Sequence, residues 1–131
     1  MWMYEHHEFT EVPPDVIGFV YNIINTQSGK QYIGIKLFTF AKRKSVKGKR
    51  KRIRVESDWR EYYGSNKQLL DDVTTIGREY FTRNILYLCR TKGQCSYYEA
   101  KLQFEMGVLE HPDKFYNDWI ICKVHRKHLK L

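Results

Sequence analysis

One stretch of the chain decides the fold: Gly18-Phe-Val-Tyr-Asn-Ile-Ile-Asn-Thr-Gln-Ser-Gly-Lys-Gln-Tyr-Ile-Gly-Ile-Lys36. Residues 19–25 and 31–36 are rich in aromatic and β-branched side chains, and the sequence between them has the asparagine, serine and glycine typical of a turn. The stretch therefore predicts a β-hairpin. Because side chains alternate between the two faces of a strand, Tyr21 and Tyr32 are expected on neighbouring antiparallel strands.

The composition is that of a globular protein. The chain has 131 residues, of which 42% are hydrophobic and 29% charged, so one domain with its own core is expected. No apolar run is long enough to span a bilayer and the N-terminus has no apolar signal segment, which predicts a cytoplasmic location. The three cysteines, Cys89, Cys95 and Cys122, lack the spacing of a disulfide framework, which favours reduced thiols.

The positive charge is concentrated in one segment. Residues 42–54 hold nine Lys or Arg and no acid, and subtracting them from the net charge of +8 leaves the other 118 residues near −1. A local basic patch on a nearly neutral body predicts a polyanionic partner, and contacts to the phosphate backbone of duplex DNA are the leading interpretation. A nuclear-localisation signal and a merely solvated loop are the alternatives. The DNA-contacting candidates are Lys42, Arg43, Lys44, Lys47, Lys49, Arg50, Lys51, Arg52 and Arg54.

The rest of the chain predicts helices and one further strand. Residues 1–15 have no helical or strand period and are expected to form an arm that precedes a single domain over 16–131. The basic insertion, about 41–55, is expected to be an exposed loop. A short helix near Trp59, a second helix capped by Ser65, a strand over 80–88 and a helix over 96–109 follow.

Several segments together resemble the GIY-YIG nuclease superfamily. Gly18-Phe-Val-Tyr21 and Tyr32-Ile-Gly34 are similar to the two halves of its signature, the first half being one residue longer. Tyr63-Gly-Ser-Asn66, Glu99 near the start of the late helix, and Phe115-Tyr-Asn117 are similar to its middle and late segments. Within the superfamily the chain most resembles small phage-encoded, homing-endonuclease-like members, which implies the cytoplasm of a phage-infected host cell as its location.

The resemblance implies a fold and an activity. The fold would be α+β, with a small three-stranded antiparallel sheet flanked by helices and the basic run as a loop insertion. The activity would be hydrolysis of phosphodiester bonds in double-stranded DNA with Mg²⁺ or another divalent cation such as Mn²⁺. Such a reaction needs an activated water, a Lewis acid and cationic help at the scissile phosphate.

The resemblance also assigns roles to individual residues. Tyr21 would take the proton from water, directly or through a relay, and Tyr32 would orient that water. Glu99 would bind the metal, whose remaining positions waters and substrate oxygens can fill, and Asn117 would support the site. The family's arginine position falls on Lys42, at the entrance of the insertion, so the candidates for the phosphate-binding cation are instead Lys36 and Arg60.

Other interpretations of the same residues stay open. The two tyrosines could serve cross-strand packing, and Glu99 could be an ordinary exposed helix carboxylate. Cys122, His125 and His128 suggest zinc, although their spacing is short for a finger, and buried thiols with a basic tail are the better interpretation. A DNA-binding module that no longer cuts, or a protein-interaction domain with an incidental basic loop, would share the fold. The oligomeric state is open.

Overall fold

The computed structural model describes residues 1–129, apart from the side chains of Lys44 and Val46. Short 3₁₀ turns lie at Trp59–Glu61 and Arg78–Tyr80. Within the described residues no helix is long and apolar enough to cross a membrane. The strands are β1 (Trp2–Tyr4), β2 (His7–Phe9), β3 (Gly18–Asn25), β4 (Gln31–Leu37), β5 (Thr39–Val46), β6 (Lys49–Glu56) and β7 (Phe81–Cys89), and the helices are α1 (Lys67–Ile76) and α2 (Lys92–Glu105).

The main sheet has five strands in the order β2-β1-β7-β3-β4. The predicted hairpin is present as β3 and β4, which pair so that Tyr21 lies opposite Gly34 and Ile23 opposite Tyr32. The third predicted strand, β7, is antiparallel to β3, but β1 runs parallel to β7, so the sheet is mixed. The α+β class is therefore as expected, whereas the sheet is neither three-stranded nor wholly antiparallel.

Residues 2–9, which we expected in an arm without regular structure, form β1 and β2. Each of these strands has three residues, which is too short for a period of two to stand out in the sequence. Trp2 anchors them, because its side chain is buried and its indole Nε1 donates a hydrogen bond to the Trp59 carbonyl at 2.7 Å. The aromatic ring of Trp2 also packs edge-on against Phe19 and Tyr21.

The basic insertion is a β-hairpin and not the expected loop. β5 and β6 pair with each other over their whole length as a separate two-stranded sheet. Lys47 and Gly48 both have positive φ, 52° and 75°, which is the backbone of a type I′ turn and matches the twist of two antiparallel strands. Composition alone predicts a solvated segment here, but a two-stranded ribbon pairs its backbone without burying its side chains, so exposure and strand structure coexist.

The sheet is covered on both faces. One face packs Phe19, Tyr21 and Ile23 against Trp59 and Leu69, which lie on the 3₁₀ turn and α1. The opposite face packs against α2 and the residues that follow it, in a second cluster made of Val20, Ile33, Cys89, Cys95, Val108 and Phe115. Strand β4 is an edge strand of the sheet, so side chains from the two layers that cover the sheet meet around it.

Both helices begin one or more residues away from the predicted positions. Asn66, and not Ser65, caps α1, since its Oδ1 accepts a hydrogen bond from the Leu69 amide at 3.0 Å. Thr91 caps α2 by accepting from the Gln94 amide at 3.1 Å, so the helix starts at Lys92. Glu99 consequently lies in the middle of α2 and not three positions into it.

Candidate active site

The tyrosine pair depends on the glycine of the second strand. A Cβ at Gly34 would lie 2.6 Å from the Tyr21 hydroxyl and 2.8 Å from the Tyr32 ring, closer than real Cβ contacts come. Without a side chain at position 34, the Tyr21 hydroxyl reaches the β4 backbone, and the two phenol rings lie 6.2 Å apart between centroids. The sequence placed both tyrosines on adjacent strands; the structure brings them onto one face, beside the sheet edge.

The phenols belong to an aromatic group on this face. Tyr62, in the segment before α1, packs edge-on against Tyr21 with 6.0 Å between the ring centroids, and Ser65 of the same segment neighbours Tyr32. Burial, together with the neighbouring Tyr62 and Tyr32, raises the pKa of Tyr21 well above its ordinary value. Burial also raises the pKa of Tyr32. Both groups are therefore hydroxyl donors in the protein by itself, and not phenolates.

Lys36 joins this group. Its ammonium lies 4.1 Å from the centroid of the Tyr62 ring and 2.6 Å from the Asp58 carboxylate. The hydrogen bond from Lys36 lowers the pKa of Asp58. Because the Tyr62 ring also lies 6.0 Å from the Tyr21 ring between centroids, the series Lys36–Tyr62–Tyr21 places a cation one residue away from the buried Tyr21 side chain.

A cavity of about 450 Å³ opens on the other side of Tyr32. Glu99 contributes its carboxyl group to this cavity, and burial raises the pKa of Glu99 to about 7. A carboxylate that is partly desolvated and faces a cavity gains most from a bound cation, since it has few water contacts to lose. The lining residues are Tyr32, Asn66, Glu99, Gln103, Asn117, Asp118, Trp119 and Ile121.

Asn117 fixes the edge strand next to the tyrosines. Its side-chain oxygen accepts a hydrogen bond from the Ile33 amide at 3.0 Å, and its Nδ2 donates to the Ile33 carbonyl at 2.8 Å. The asparagine thus pairs with β4 as another strand would, and satisfies backbone groups that an edge otherwise leaves open. Asn117 therefore lies where support for the site was expected, and the support consists of holding residue 33 between Tyr32 and Gly34.

Gln103 has a buried oxygen without a partner. Its Nε2 donates to the Ile33 carbonyl at 3.0 Å, which fixes the orientation of the amide because the reverse orientation would place two oxygens together. Its Oε1 then has no hydrogen-bond partner among the described residues, although the side chain is buried. Gln103 lies one turn after Glu99 on α2, and both line the cavity.

This set of donors fits a divalent cation of the magnesium type. Carboxylate and amide oxygens are the ligands that Mg²⁺ takes from proteins, usually one or two of them beside several waters. Glu99 supplies a half-buried carboxylate, Gln103 the unpartnered amide oxygen, and Asp118 an exposed carboxylate. Neither in this cavity nor elsewhere in residues 1–129 is there a cluster of three or more His, Cys, Asp or Glu side chains that could hold a metal ion, so a cation here would rely mainly on water and substrate oxygens.

Arg60 lies apart from the tyrosines and Glu99. Its guanidinium stacks over Trp59 at 4.3 Å, donates to the Thr10 carbonyl at 2.9 Å and pairs with Glu56 at 3.2 Å. Sequence spacing cannot show this, because the direction of Arg60 follows from the burial of its neighbour Trp59. Of the two candidate cations, the structure brings Lys36 to the tyrosines and leaves Arg60 on the side of the N-terminal segment.

The nine basic candidates of the insertion all lie on the β5–β6 hairpin or its turn. Eight of them are exposed, and the side chain of Lys44 lies outside the described part of the structure. None of the described eight lines the cavity that contains Glu99. The hairpin is thus a separate surface, joined to the site through β4.

Sequence reasoning missed two residues near the site, Gln103 and Arg83. The sequence spacing could have indicated Gln103, since a residue four positions after Glu99 lies on the same face of the helix. No sequence pattern could have indicated Arg83. It is a buried arginine on β7 that donates hydrogen bonds to the carbonyls of Arg60 and Tyr62 at 3.0 and 2.9 Å. By holding these carbonyls Arg83 positions the segment that carries Tyr62. Burial lowers the pKa of Arg83.

One family model matches residues 2–120, and it carries the description "Putative endonuclease segE, GIY-YIG domain". The matched range contains the main sheet, the basic hairpin, both helices and almost all residues that line the cavity. No curated protein and no solved structure matches the chain.

Proposed function

The chain belongs to the segE-type GIY-YIG domain family, and from this premise we propose that it is a metal-dependent endonuclease that hydrolyses phosphodiester bonds in double-stranded DNA. One observation carries the proposal: Tyr21, Tyr32 and Lys36 lie on one side of the β4 edge, and Glu99 lies in the cavity that begins at Tyr32. We further propose a homing-type role, on the likeness of the chain to small phage-encoded members.

Hydrolysis requires a water to attack phosphorus while one phosphorus–oxygen ester bond breaks and the leaving oxygen gains a proton. Tyr32 lines the cavity and is suited to orient the water. Tyr21 is suited to accept the water's proton while its own hydroxyl proton passes by way of the neighbouring Tyr62 to solvent, because its raised pKa disfavours a lasting phenolate. Solvent water supplies the proton that the leaving oxygen gains. Lys36, beside Tyr62, supplies positive charge that stabilises any transient negative charge on these phenols.

A divalent cation would be held by Glu99, with the Gln103 amide oxygen beside it and Asp118 also lining the cavity. When bound, such a cation supplies Lewis-acid stabilisation of the charge that develops on the phosphate oxygens. Asn117 and Gln103 keep the Ile33 carbonyl and amide fixed, so the tyrosine side of the site cannot shift relative to α2.

Incubation of supercoiled plasmid with the purified protein tests the proposal. Cleavage is expected with Mg²⁺ or Mn²⁺ and not with EDTA, and the products distinguish nicked circles from linear DNA. A second candidate is a DNA-binding module that keeps the fold without cutting, which is favoured by the position of Arg60 away from the cavity. Plasmid binding without cleavage at any concentration of either cation would support that second candidate and contradict the first.

The first prediction concerns pH. Since burial raises the pKa of Glu99 to about 7, protons compete with the divalent cation for this carboxylate near neutral pH. At low Mg²⁺ the cleavage rate should rise as pH increases through about 7, and the midpoint of this rise should move to lower pH as Mg²⁺ is increased. The measurement is the initial rate of plasmid cleavage between acidic and mildly alkaline pH at several Mg²⁺ concentrations. A midpoint that does not move with Mg²⁺ would contradict competition at Glu99.

The second prediction separates DNA affinity from cleavage. Replacing Lys49, Arg50, Lys51 and Arg52 with serine removes four exposed cations from β6, a strand that does not line the cavity. Each lost phosphate contact should flatten the plot of log affinity against log salt by about 0.9, so the slope should fall by up to about 4.

Cleavage by this variant at saturating protein and low salt should survive, because Tyr21, Tyr32 and Glu99 are unchanged. Thermal unfolding should move little, because exposed ribbon side chains bury little surface. An unchanged salt dependence would exclude β6 as the DNA-contacting element. Loss of cleavage at saturation would assign one of these four cations to the scissile phosphate.

A further inference from the structure

The β5–β6 ribbon separates its arginines from its lysines. Residues directly opposite each other in an antiparallel pair share one face. The register therefore places all four arginines on one face, in the pairs Ala41 with Arg54, Arg43 with Arg52 and Ser45 with Arg50, with Thr39 opposite Glu56 at the base. The other face holds the pairs Phe40 with Val55 and Lys42 with Ile53, together with Lys49 and Lys51.

Three of the four arginines are free to contact a partner. Arg43, Arg50 and Arg52 are exposed, and in the part of the chain that the structure describes no acceptor pairs with their guanidinium groups. Arg54, nearest the base of the ribbon, is held by Thr39: its Nη2 donates to the Thr39 carbonyl and to its hydroxyl, each at 2.9 Å. Arg43 lies directly opposite Arg52, an arrangement of like charges that disfavours the ribbon until a partner supplies acceptors.

The dimensions of this face match a groove of duplex DNA. Alternate residues of a strand lie about 6.7 Å apart, which is close to two base-pair steps of about 3.4 Å. Arg50, Arg52 and Arg54 thus span about four base pairs along β6. The major groove is about 12 Å wide and admits a two-stranded ribbon, and the small side chains of Ala41 and Ser45 allow the backbone to come close.

We propose that the arginine face of the β5–β6 ribbon enters the major groove and recognises guanine through its O6 and N7 atoms. Arginine is suited to this contact because its planar guanidinium donates two parallel hydrogen bonds to these two acceptors, whereas lysine acts as a point charge. The proposal rests on the proposed function only in taking double-stranded DNA as the partner. It adds that the ribbon supplies sequence preference as well as affinity.

The base of the ribbon is fixed to the candidate site. The Ser57 amide donates to the Phe38 carbonyl at 2.8 Å and the Ser57 hydroxyl to the Leu37 carbonyl at 2.6 Å, which closes the ribbon directly after β4. Lys36, one residue before Leu37, is the cation beside Tyr62. A guanine bound by Arg43 or Arg52 would therefore lie at a set distance from the phosphate that is cleaved.

Two matched variants test the proposal without a change of net charge. R43K/R50K/R52K replaces the three free guanidinium groups of the arginine face with ammonium groups and leaves Arg54, which Thr39 holds. K42R/K49R/K51R replaces three ammonium groups of the opposite face with guanidinium groups. Both keep the ribbon's charge and backbone, and circular dichroism checks the fold. Binding is measured in EDTA, so that cleavage cannot contribute, first to a pool of duplexes with a randomised centre and then to the selected duplex with 7-deazaguanine in place of guanine.

The wild type should select duplexes that contain guanine, and 7-deazaguanine should weaken its binding by about 10-fold for each bidentate contact. The R43K/R50K/R52K variant should lose the preference for guanine and the sensitivity to 7-deazaguanine, and should keep the salt dependence of binding. The K42R/K49R/K51R variant should keep the preference, the sensitivity and the salt dependence. Equal binding to guanine and 7-deazaguanine duplexes by the wild type would overturn the proposal, as would loss of the preference only in the lysine-face variant. Plasmid cleavage, assayed separately, stays informative about the nuclease function in either case.

Discussion

Replacing Glu99 with glutamine should reduce plasmid cleavage by about 10³-fold at saturating DNA, because the loss of a metal ligand removes several kcal/mol of transition-state stabilisation. Glutamine keeps the size of the side chain and an oxygen in the cavity, but not the charge that holds a divalent cation. Calorimetric titration with Mg²⁺ should show weaker binding in the same variant. DNA affinity in EDTA should be unchanged, since Glu99 is distant in sequence and position from the basic ribbon.

Unfolding of the protein cannot account for the expected loss of plasmid cleavage in Glu99→Gln. Burial disfavours the charged form of Glu99, so a neutral side chain at this position should leave thermal stability at pH 8 unchanged or higher. Glu105→Gln is the matched control, because Glu105 is exposed on the same helix and lies outside the cavity. Cleavage by Glu99→Gln at the rate of the Glu105→Gln control would exclude Glu99 as a metal ligand.

The central hairpin could be predicted because all its information is local. Turn residues, alternating side chains and the two tyrosines lie within one stretch of sequence, and β3 and β4 follow it closely. Other parts of the sheet depend on contacts between distant residues. β1 is held by Trp2, whose hydrogen-bond partner Trp59 is far away in the chain, and no pattern of three residues reveals this.

The structure of the basic ribbon was mispredicted for a different reason, because its amino-acid composition indicated a loop. A segment with nine cations and no acid has the composition of a disordered loop, and only the pairing register reveals that its arginines and lysines occupy different faces. Gly48 is the residue from which a hairpin could have been predicted, because a glycine after Lys47 suits a type I′ turn.

The candidate site was predictable where family likeness could be applied residue by residue. Tyr21, Tyr32, Glu99 and Asn117 all lie around the β4 edge. The cation was harder to assign, because the direction of a long side chain is set by its neighbours in space. Arg60 turns toward Thr10 with the buried Trp59 beside it, whereas Lys36 faces Tyr62.

Replacing Tyr21 with phenylalanine should lower the cleavage rate by at least about 10²-fold, the range expected for loss of a group that transfers a proton. The change removes only the hydroxyl and keeps the ring that packs against Trp2 and Phe19. Single-turnover rates at saturating Mg²⁺ and DNA measure the effect on the chemical step.

The matched control is Tyr87→Phe, since Tyr87 lies on the adjacent strand β7, is partly exposed and stacks on Tyr98 away from the cavity. DNA affinity and Mg²⁺ binding should be the same in both variants, because neither hydroxyl contacts the ribbon or Glu99. A relay by way of Tyr62 also predicts that Tyr62→Phe lowers the rate, because Tyr62 is the phenol that packs edge-on against Tyr21, with 6.0 Å between ring centroids. Normal turnover in Tyr21→Phe would mean that Tyr21 serves the core alone, and normal turnover only in Tyr62→Phe would mean that Tyr21 transfers its proton directly and not through that neighbour.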